Sequence, residues 1–287
     1  MNFMKIVFSG PVKNCGNNLE KNLNFLINLK KDIRIDLLDI FILEGDSTDN
    51  SKIILEKYNR NSEIILFSEN NLEEKLSNRV ERIAYCRNLL LKKIKNKGTS
   101  YDFYIPLDLD VELFSQISTN EFIEILTRFQ KDDDIDALFP FSVPFYYDLA
   151  ALRSVGWLED DVWIGFNNIA KKLKIGKIFL RIFVIFNKQI KKPKNNKLIQ
   201  VESAFGGIGL YKLKEGITSL HKYGLSDKAV SADHIVFNSH FNKKYIDPNW
   251  TVKAPLEHIE FKTLSLFEKM KYIYKELEFE LRNLKTQ

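Results

Sequence analysis

The strongest constraint in this chain is an alternation of short β-like runs with longer segments of helical spacing. Met4–Phe8 reads as a strand, broken by Ser9-Gly10-Pro11. Leu19, Leu23, Leu26 and Ile27 then recur at helical intervals. Ile40–Leu43 is a second strand, closed by the loop Glu44–Asn50, where Asp49 is placed to cap a helix through Ile53, Ile54 and Tyr58. Ile64–Phe67 is a third strand, and one long helix from Leu72 to Lys95 leads to a fourth, Phe103–Leu107. This order predicts an α/β, Rossmann-like fold, a mostly parallel sheet flanked by helices. Right-handed crossovers then bring the strand C-termini to one edge, where open α/β sheets bind ligands. Ser9-Gly10, the Glu44–Asn50 loop and Asp108-Leu109-Asp110 all fall at that edge.

The 287 residues carry no internal repeat and no linker rich in Pro, Gly or Ser. One compact domain over 1–256 is expected, followed by a C-terminal amphipathic helix over 257–287 that packs on the domain, on a partner such as a second subunit, or on a membrane. A net charge of +5 is too mild to predict nucleic-acid binding. No apolar run reaches the ~18 residues of a spanning helix, and the start lacks a signal-peptide pattern. Two distant cysteines, Cys15 and Cys86, fit a reducing compartment. The expected location is therefore the cytoplasm, with peripheral contact at the inner face of the membrane as an extension of that reading.

The chemistry-bearing residues stand at the strand ends. Alternate residues of an extended segment share a face, so Asp108 and Asp110 can point the same way. Two carboxylates on one side suit a hard divalent cation that also holds a diphosphate. An Asp-x-Asp triplet is also a frequent chance pattern, and its place after an apolar strand is what raises its interest. The Glu44–Asn50 loop reads either as a turn with an N-cap or as a contact to a nucleobase and ribose. Arg79, Arg82 and Arg87 precede the carboxylate strand. A guanidinium fork suits diphosphates, although helix arginines are commonly solvated.

Successive motifs then carry a resemblance. Glu44-Gly45-Asp46-Ser47-Thr48-Asp49-Asn50, Arg82-Ile83-Ala84-Tyr85-Cys86-Arg87-Asn88 and Asp108-Leu109-Asp110-Val111 resemble the ordered motifs of GT-A fold glycosyltransferases. Phe145–Arg153 and Ser203–Tyr211 resemble the CAP59-type α-mannosyltransferases and their bacterial capsule or lipopolysaccharide relatives. That resemblance implies a metal-dependent transferase. It would move a sugar from a UDP- or GDP-linked donor to a saccharide or lipid-linked saccharide acceptor in surface polysaccharide synthesis.

It also implies roles. Ser9, Gly10, Glu44, Asp46, Arg82, Arg87, Asp108 and Arg153 would bind the nucleotide sugar, and Gly206 and Gly207 would let the backbone approach it. Asp108 and Asp110 would hold Mn2+ or Mg2+, with His234 or His258 completing the shell. Asp148 would lie at the donor sugar and Asp233 would serve as catalytic base or orient the acceptor. A histidine is otherwise commonly structural. Two alternatives share the carboxylate pair: a sugar nucleotidyltransferase, for which Ser9–Lys13 is a poor triphosphate loop, and a non-catalytic sugar-binding subunit of the same fold.

Between Val162 and Val201 there is no acidic residue, and ten Lys or Arg fall between Lys171 and Lys197. This block reads either as a core element followed by a solvated loop or as a surface for anionic lipid or a phosphorylated acceptor. The tail around Phe267, Met270, Ile273, Tyr274 and Leu277, with its lysines, has the same pair of readings.

Overall fold

A computed structural model describes residues 3–173, 184–214, 216, 222–225, 232–271 and 273–274. The first half forms β1 (Met4–Val12), α1 (Gly16–Leu29), β2 (Ile35–Gly45), α2 (Ser51–Arg60), β3 (Ile65–Glu69), α3 (Leu72–Lys75), α4 (Arg79–Lys97) and β4 (Phe103–Pro106). The second half adds α5 (Thr119–Lys131), β5 (Ala137–Val143), α6 (Val162–Leu173), β6 (Ile199–Gln200), β7 (Leu210–Lys212) and β8 (Lys244–Lys253). Short helices follow β7 and β8, at His234–Asn238 and Leu256–Thr263.

These strands make one sheet in the order β3-β2-β1-β4-β7-β5-β8-β6. β1 pairs in parallel with both β2 and β4, so the chain reverses its direction of travel across the sheet at β1. Ligand crevices of doubly wound sheets open at such a switch point. β5 and β8 are also parallel, while β7 and β6 run antiparallel. The expected α/β architecture is therefore present, as a mixed sheet.

Strand periodicity builds two apolar layers. Ile6, Phe8, Ile40, Ile42, Phe103 and Ile105 face one side, against Leu19, Leu23 and Leu26 of α1 and Phe122 and Leu126 of α5. Val7, Phe41, Leu43 and Tyr104 face the other, against Leu90, Leu91 and Ile94 of α4. Burial on both faces explains why these strands read as continuous apolar runs.

Three elements differ from expectation. β1 continues through Ser9 and Gly10 to Val12, because it stays paired with β2 as far as Val12 after its pairing with β4 ends at Ser9. The single helix expected over Leu72–Lys95 is two. Leu76 is extended, and the Asn78 side chain accepts from Val80 and Glu81 N–H to start α4 afresh. The continuous C-terminal helix is likewise interrupted at Leu264, and Ser265 with Glu268 forms a capping box that starts a new helical turn. Residues 174–183, which hold much of the apolar part of the basic block, lie outside the described residues, as do 275–287 of the tail.

Candidate active site

A cavity of about 620 Å³ opens where the C-terminal ends of β1, β2 and β4 converge. That volume lies in the range of small-molecule and cofactor sites. Asp108 and Asp110 both line it, while Leu109 between them is fully buried in the core. The alternation expected of an extended segment is thus realised, and its cause is the burial of Leu109. Around this tripeptide the backbone is held from several sides. Asp108 N–H donates to Gly207 C=O at 2.8 Å. Asn18 donates to Asp110 C=O at 2.5 Å, and Asn22 to Val111 C=O at 2.8 Å. Asn18 and Asn22 sit four residues apart on α1 and share one helix face. Gly10 lies beneath, where an added Cβ would stand 3.1 Å from Leu107 C=O and from Leu109.

Arg87 organises the electrostatics. It is 2% exposed on α4, its Nη2 donates to Asp108 Oδ1 at 2.6 Å, and its Nε stands 3.0 Å from Asp233 Oδ2. The latter contact is an ion pair without hydrogen-bond alignment, since neither atom has a hydrogen-bond partner, and Nη1 is also unpartnered. Phe205 and Tyr223 flank the guanidinium at 5.1 and 5.5 Å. The arginine thus anchors one oxygen of Asp108, whose side chain keeps a third of its surface accessible.

Asp110 is exposed to the cavity and makes no ion pair among the described residues. The surrounding protein strips water from it, and Asp108 adds like charge, so its pKa is pushed up to about 6. Asp233 is 5% exposed and also lines the cavity. Burial pushes it up to about 6 as well, against the pull of Arg87. Asp148 is half-buried at the cavity wall and accepts from Gly206 N–H at 2.8 Å and Ala151 N–H at 3.3 Å. Burial raises its pKa, and those two bonds oppose the rise.

The remaining sequence candidates sort by position. Asp46 and Arg82 line the cavity. Asp46 sits at φ 57° and spends its carboxylate on the N–H groups of Asn71 and Leu72. Arg82 donates to the Leu76 and Ser77 carbonyls, holding the break between α3 and α4. Ser9 and Gly10 do not line the cavity, because they are interior strand residues. Ser9 is 1% exposed and donates to the Tyr104 hydroxyl. Glu44 turns inward to accept from Ser47 N–H. Arg153 is buried away from the cavity, bonded to the Ala150 and Leu152 carbonyls and paired with Asp161, the residue that caps α6. Gly206 and Gly207, at φ 72° and 90°, stand outside the cavity lining and brace Asp148 and Asp108 through their backbone.

The two histidines differ. His234 is buried, stacked on Phe205 at 3.5 Å, and burial with Arg87 beside it holds its pKa well below the usual value. That keeps the ring neutral; it lines the cavity, and neither of its buried nitrogens has a hydrogen-bond partner. His258 is exposed at the cavity, stacked on Tyr147. Sequence reasoning missed Lys13, Asn14, Tyr147 and Phe205, which line the cavity, and Asn18 and Asn22, which hold its carboxylate loop. For Asn14, at φ 55°, the signal was present, because Asn tolerates the left-handed region after a strand.

Among the described residues no group of three or more His, Cys, Asp or Glu is arranged as a metal cage. The Asp108–Asp110 pair nevertheless fits a hard divalent cation. It offers adjacent carboxylates facing a cavity, one of them lacking a counter-charge, with room for water or diphosphate oxygens to complete the shell.

Fold and cavity together define an α/β protein whose ligand crevice opens at the switch point of one mixed sheet. The structure is similar to the mannosyltransferase PcManGT from Pyrobaculum calidifontis in complex with GDP-Man and Mn2+, at 11% identity over 88% of this chain and 57% of that one, with a TM-score of 0.50. It is also similar to S. aureus TarS 1–349, at 16% identity over 90% of this chain and 63% of that one, TM-score 0.45. A third likeness is to glucosyl-3-phosphoglycerate synthase from Mycobacterium tuberculosis with Mn2+, UDP and glucosyl-3-phosphoglycerate, at 12% identity over 90% and 75%, TM-score 0.41. The chain spans less than two thirds of the length of the first two. At 11% identity the likeness to the mannosyltransferase establishes fold alone. No family model and no curated protein sequence matches the chain.

Proposed function

We propose that this protein is a metal-dependent glycosyltransferase that takes a sugar from a nucleoside-diphosphate donor and passes it to a saccharide or lipid-linked saccharide. The observation that carries this reading is the Asp108–Asp110 pair, held by Arg87, Asn18, Asn22 and Gly207 at the switch-point cavity. Such bracing is what a diphosphate site needs, because a preorganised site does not spend binding energy on ordering its groups.

Asp108 and Asp110 would hold Mn2+ or Mg2+, which neutralises charge on the departing diphosphate when bound. Arg87 fixes the orientation of Asp108 and adds positive potential behind it. Arg79, exposed on the first turn of α4 at the cavity, is the cation available for a diphosphate oxygen. Asp46 contributes the shape of the nucleoside end by capping α3. His234 or His258, both in the cavity lining, would complete the shell. Asp148 would contact the donor sugar.

Asp233 fits the base that an inverting transfer requires. A carboxylate raised to about 6 is still ionised at neutral pH yet accepts a proton more readily than an ordinary aspartate. In a retaining transfer its task is to orient the acceptor hydroxyl. Surface polysaccharide synthesis of the CAP59, capsule or lipopolysaccharide type is the role that the ordered motifs from Glu44 to Tyr211 support.

Incubation with Mn2+ and a panel of nucleotide sugars tests the reading. Slow release of one nucleoside diphosphate, abolished by EDTA, is expected. Failure of every UDP- and GDP-linked donor to turn over or to raise the melting temperature would refute it.

A further inference from the structure

Beside the cavity lies a surface that the proposed reaction does not use. After the capping box at Ser265, the helical turns over 266–271 expose Leu266 (79%), Phe267 (77%) and Met270 (63%), and Tyr274 follows at 71%. Positions 267, 270 and 274 recur at helical spacing, so they form one apolar face. Single exposed apolar residues are ordinary on a protein surface, but a contiguous run of large ones marks a contact surface.

Lysines border this face. Lys262 and Lys191 each stand 5.7 Å from the Phe145 ring, and Lys269 stands 5.7 Å from Phe261. None of the three forms an ion pair among the described residues. Of the acids on this segment that are described, Glu257 pairs with His258 and Glu268 accepts from Ser265. Burial and the neighbouring Lys269 lower the pKa of Lys262, as expected where two ammonium groups share a site.

The patch also connects to the cavity. Phe261 stacks on Phe186, and Gln189 donates to His258 C=O; Phe186, Gln189 and His258 all line the cavity.

We propose that this segment is a docking surface for an anionic lipid bilayer. Leu266, Phe267, Met270 and Tyr274 enter the headgroup region, and Lys191, Lys262 and Lys269 face its phosphates. The lysines decide against a second copy of the chain as occupant. A two-fold interface sets the same patch against itself and would gather both copies' lysines into one contact, whereas anionic headgroups supply the opposite charge.

Flotation of the full-length chain with vesicles tests this without reference to sugar transfer, so a failure of the transferase reading leaves it standing. The chain is expected to float with phosphatidylcholine vesicles containing phosphatidylglycerol and to remain behind with phosphatidylcholine alone. F267S/M270S should lose flotation at an unchanged melting temperature, since both side chains are exposed. K262Q/K269Q should weaken binding to the anionic vesicles by about tenfold or more. Absence of flotation with anionic vesicles, or undiminished flotation of F267S/M270S, overturns the proposal. So does a dimer in light scattering that F267S/M270S converts to monomer, which would make a second copy the occupant.

Discussion

Replacing Arg87 with Met tests how the carboxylates of the cavity are held. The substitution keeps much of the aliphatic bulk between Phe205 and Tyr223 and removes the charge that pairs with Asp108 and Asp233. Asp108 can turn to solvent, because a third of its side chain is accessible. Asp233, at 5% exposure, cannot. Breaking a buried pair from one side costs roughly 3–5 kcal/mol. Protonation of Asp233 caps the loss, so about 3 kcal/mol is expected at neutral pH. The pH dependence has a definite sign. A carboxyl whose folded pKa lies above its unfolded value favours folding when protonated, so stability falls as pH rises through the folded pKa. In the parent protein Asp233 titrates at about 6, and its contribution is nearly level above that. Without Arg87 the folded value moves higher. The variant should therefore keep losing up to about 1.4 kcal/mol per pH unit between about pH 6.5 and 7.5. Urea unfolding in EDTA, followed by tryptophan fluorescence, measures both quantities. R87M/D233N should recover much of the loss by removing the stranded carboxylate. An R87M variant within about 1 kcal/mol of the parent, or a double variant no better than R87M, would refute this account of the site.

D110N should abolish donor turnover while leaving metal-free stability equal or higher by on the order of 1 kcal/mol, after allowance for solvent screening of this exposed carboxylate. Differential scanning in EDTA beside a donor hydrolysis assay reads both. G207A forces φ 90° on a residue with a Cβ and sets that carbon 3.0 Å from Leu113 and 3.3 Å from the Tyr147 hydroxyl. It should cost about 1–3 kcal/mol and weaken Mn2+ binding through the Gly207–Asp108 bond, checked by unfolding and by calorimetric titration.

The first half of the fold was legible because its signals are local. Apolar strands buried on both faces and helices of even spacing announce themselves within windows of ten residues or so. β7 gave no such signal. It has three residues, and its place between β4 and β5 depends on pairing Tyr211 with Tyr104 and Ala137 across long sequence separations. The break at Leu76–Asn78 was hidden because it rests on the Asn78 cap and on Arg82 reaching back to the Leu76 and Ser77 carbonyls, contacts that helical spacing does not reveal.

The candidate site divides in the same way. The position of Asp108 and Asp110 followed from strand alternation. The fate of Ser9, Glu44 and Arg153 did not, since a polar residue in a motif binds ligand or braces its own loop according to partners that sequence spacing does not reveal. Asn18 and Asn22 were missed for the converse reason: on α1 they read as solvated polar positions, and only the packing of α1 under the carboxylate loop gives them a task.

The most direct test of the central claim is a calorimetric titration of Mn2+ into the protein in the presence and absence of UDP and GDP. Tight binding of the ion is expected only with one of the nucleotides present, and neither D108N nor D110N should show it. Mn2+ binding unchanged in both variants, or nucleotide binding indifferent to the metal, would contradict the assignment of this pair as the diphosphate-metal site.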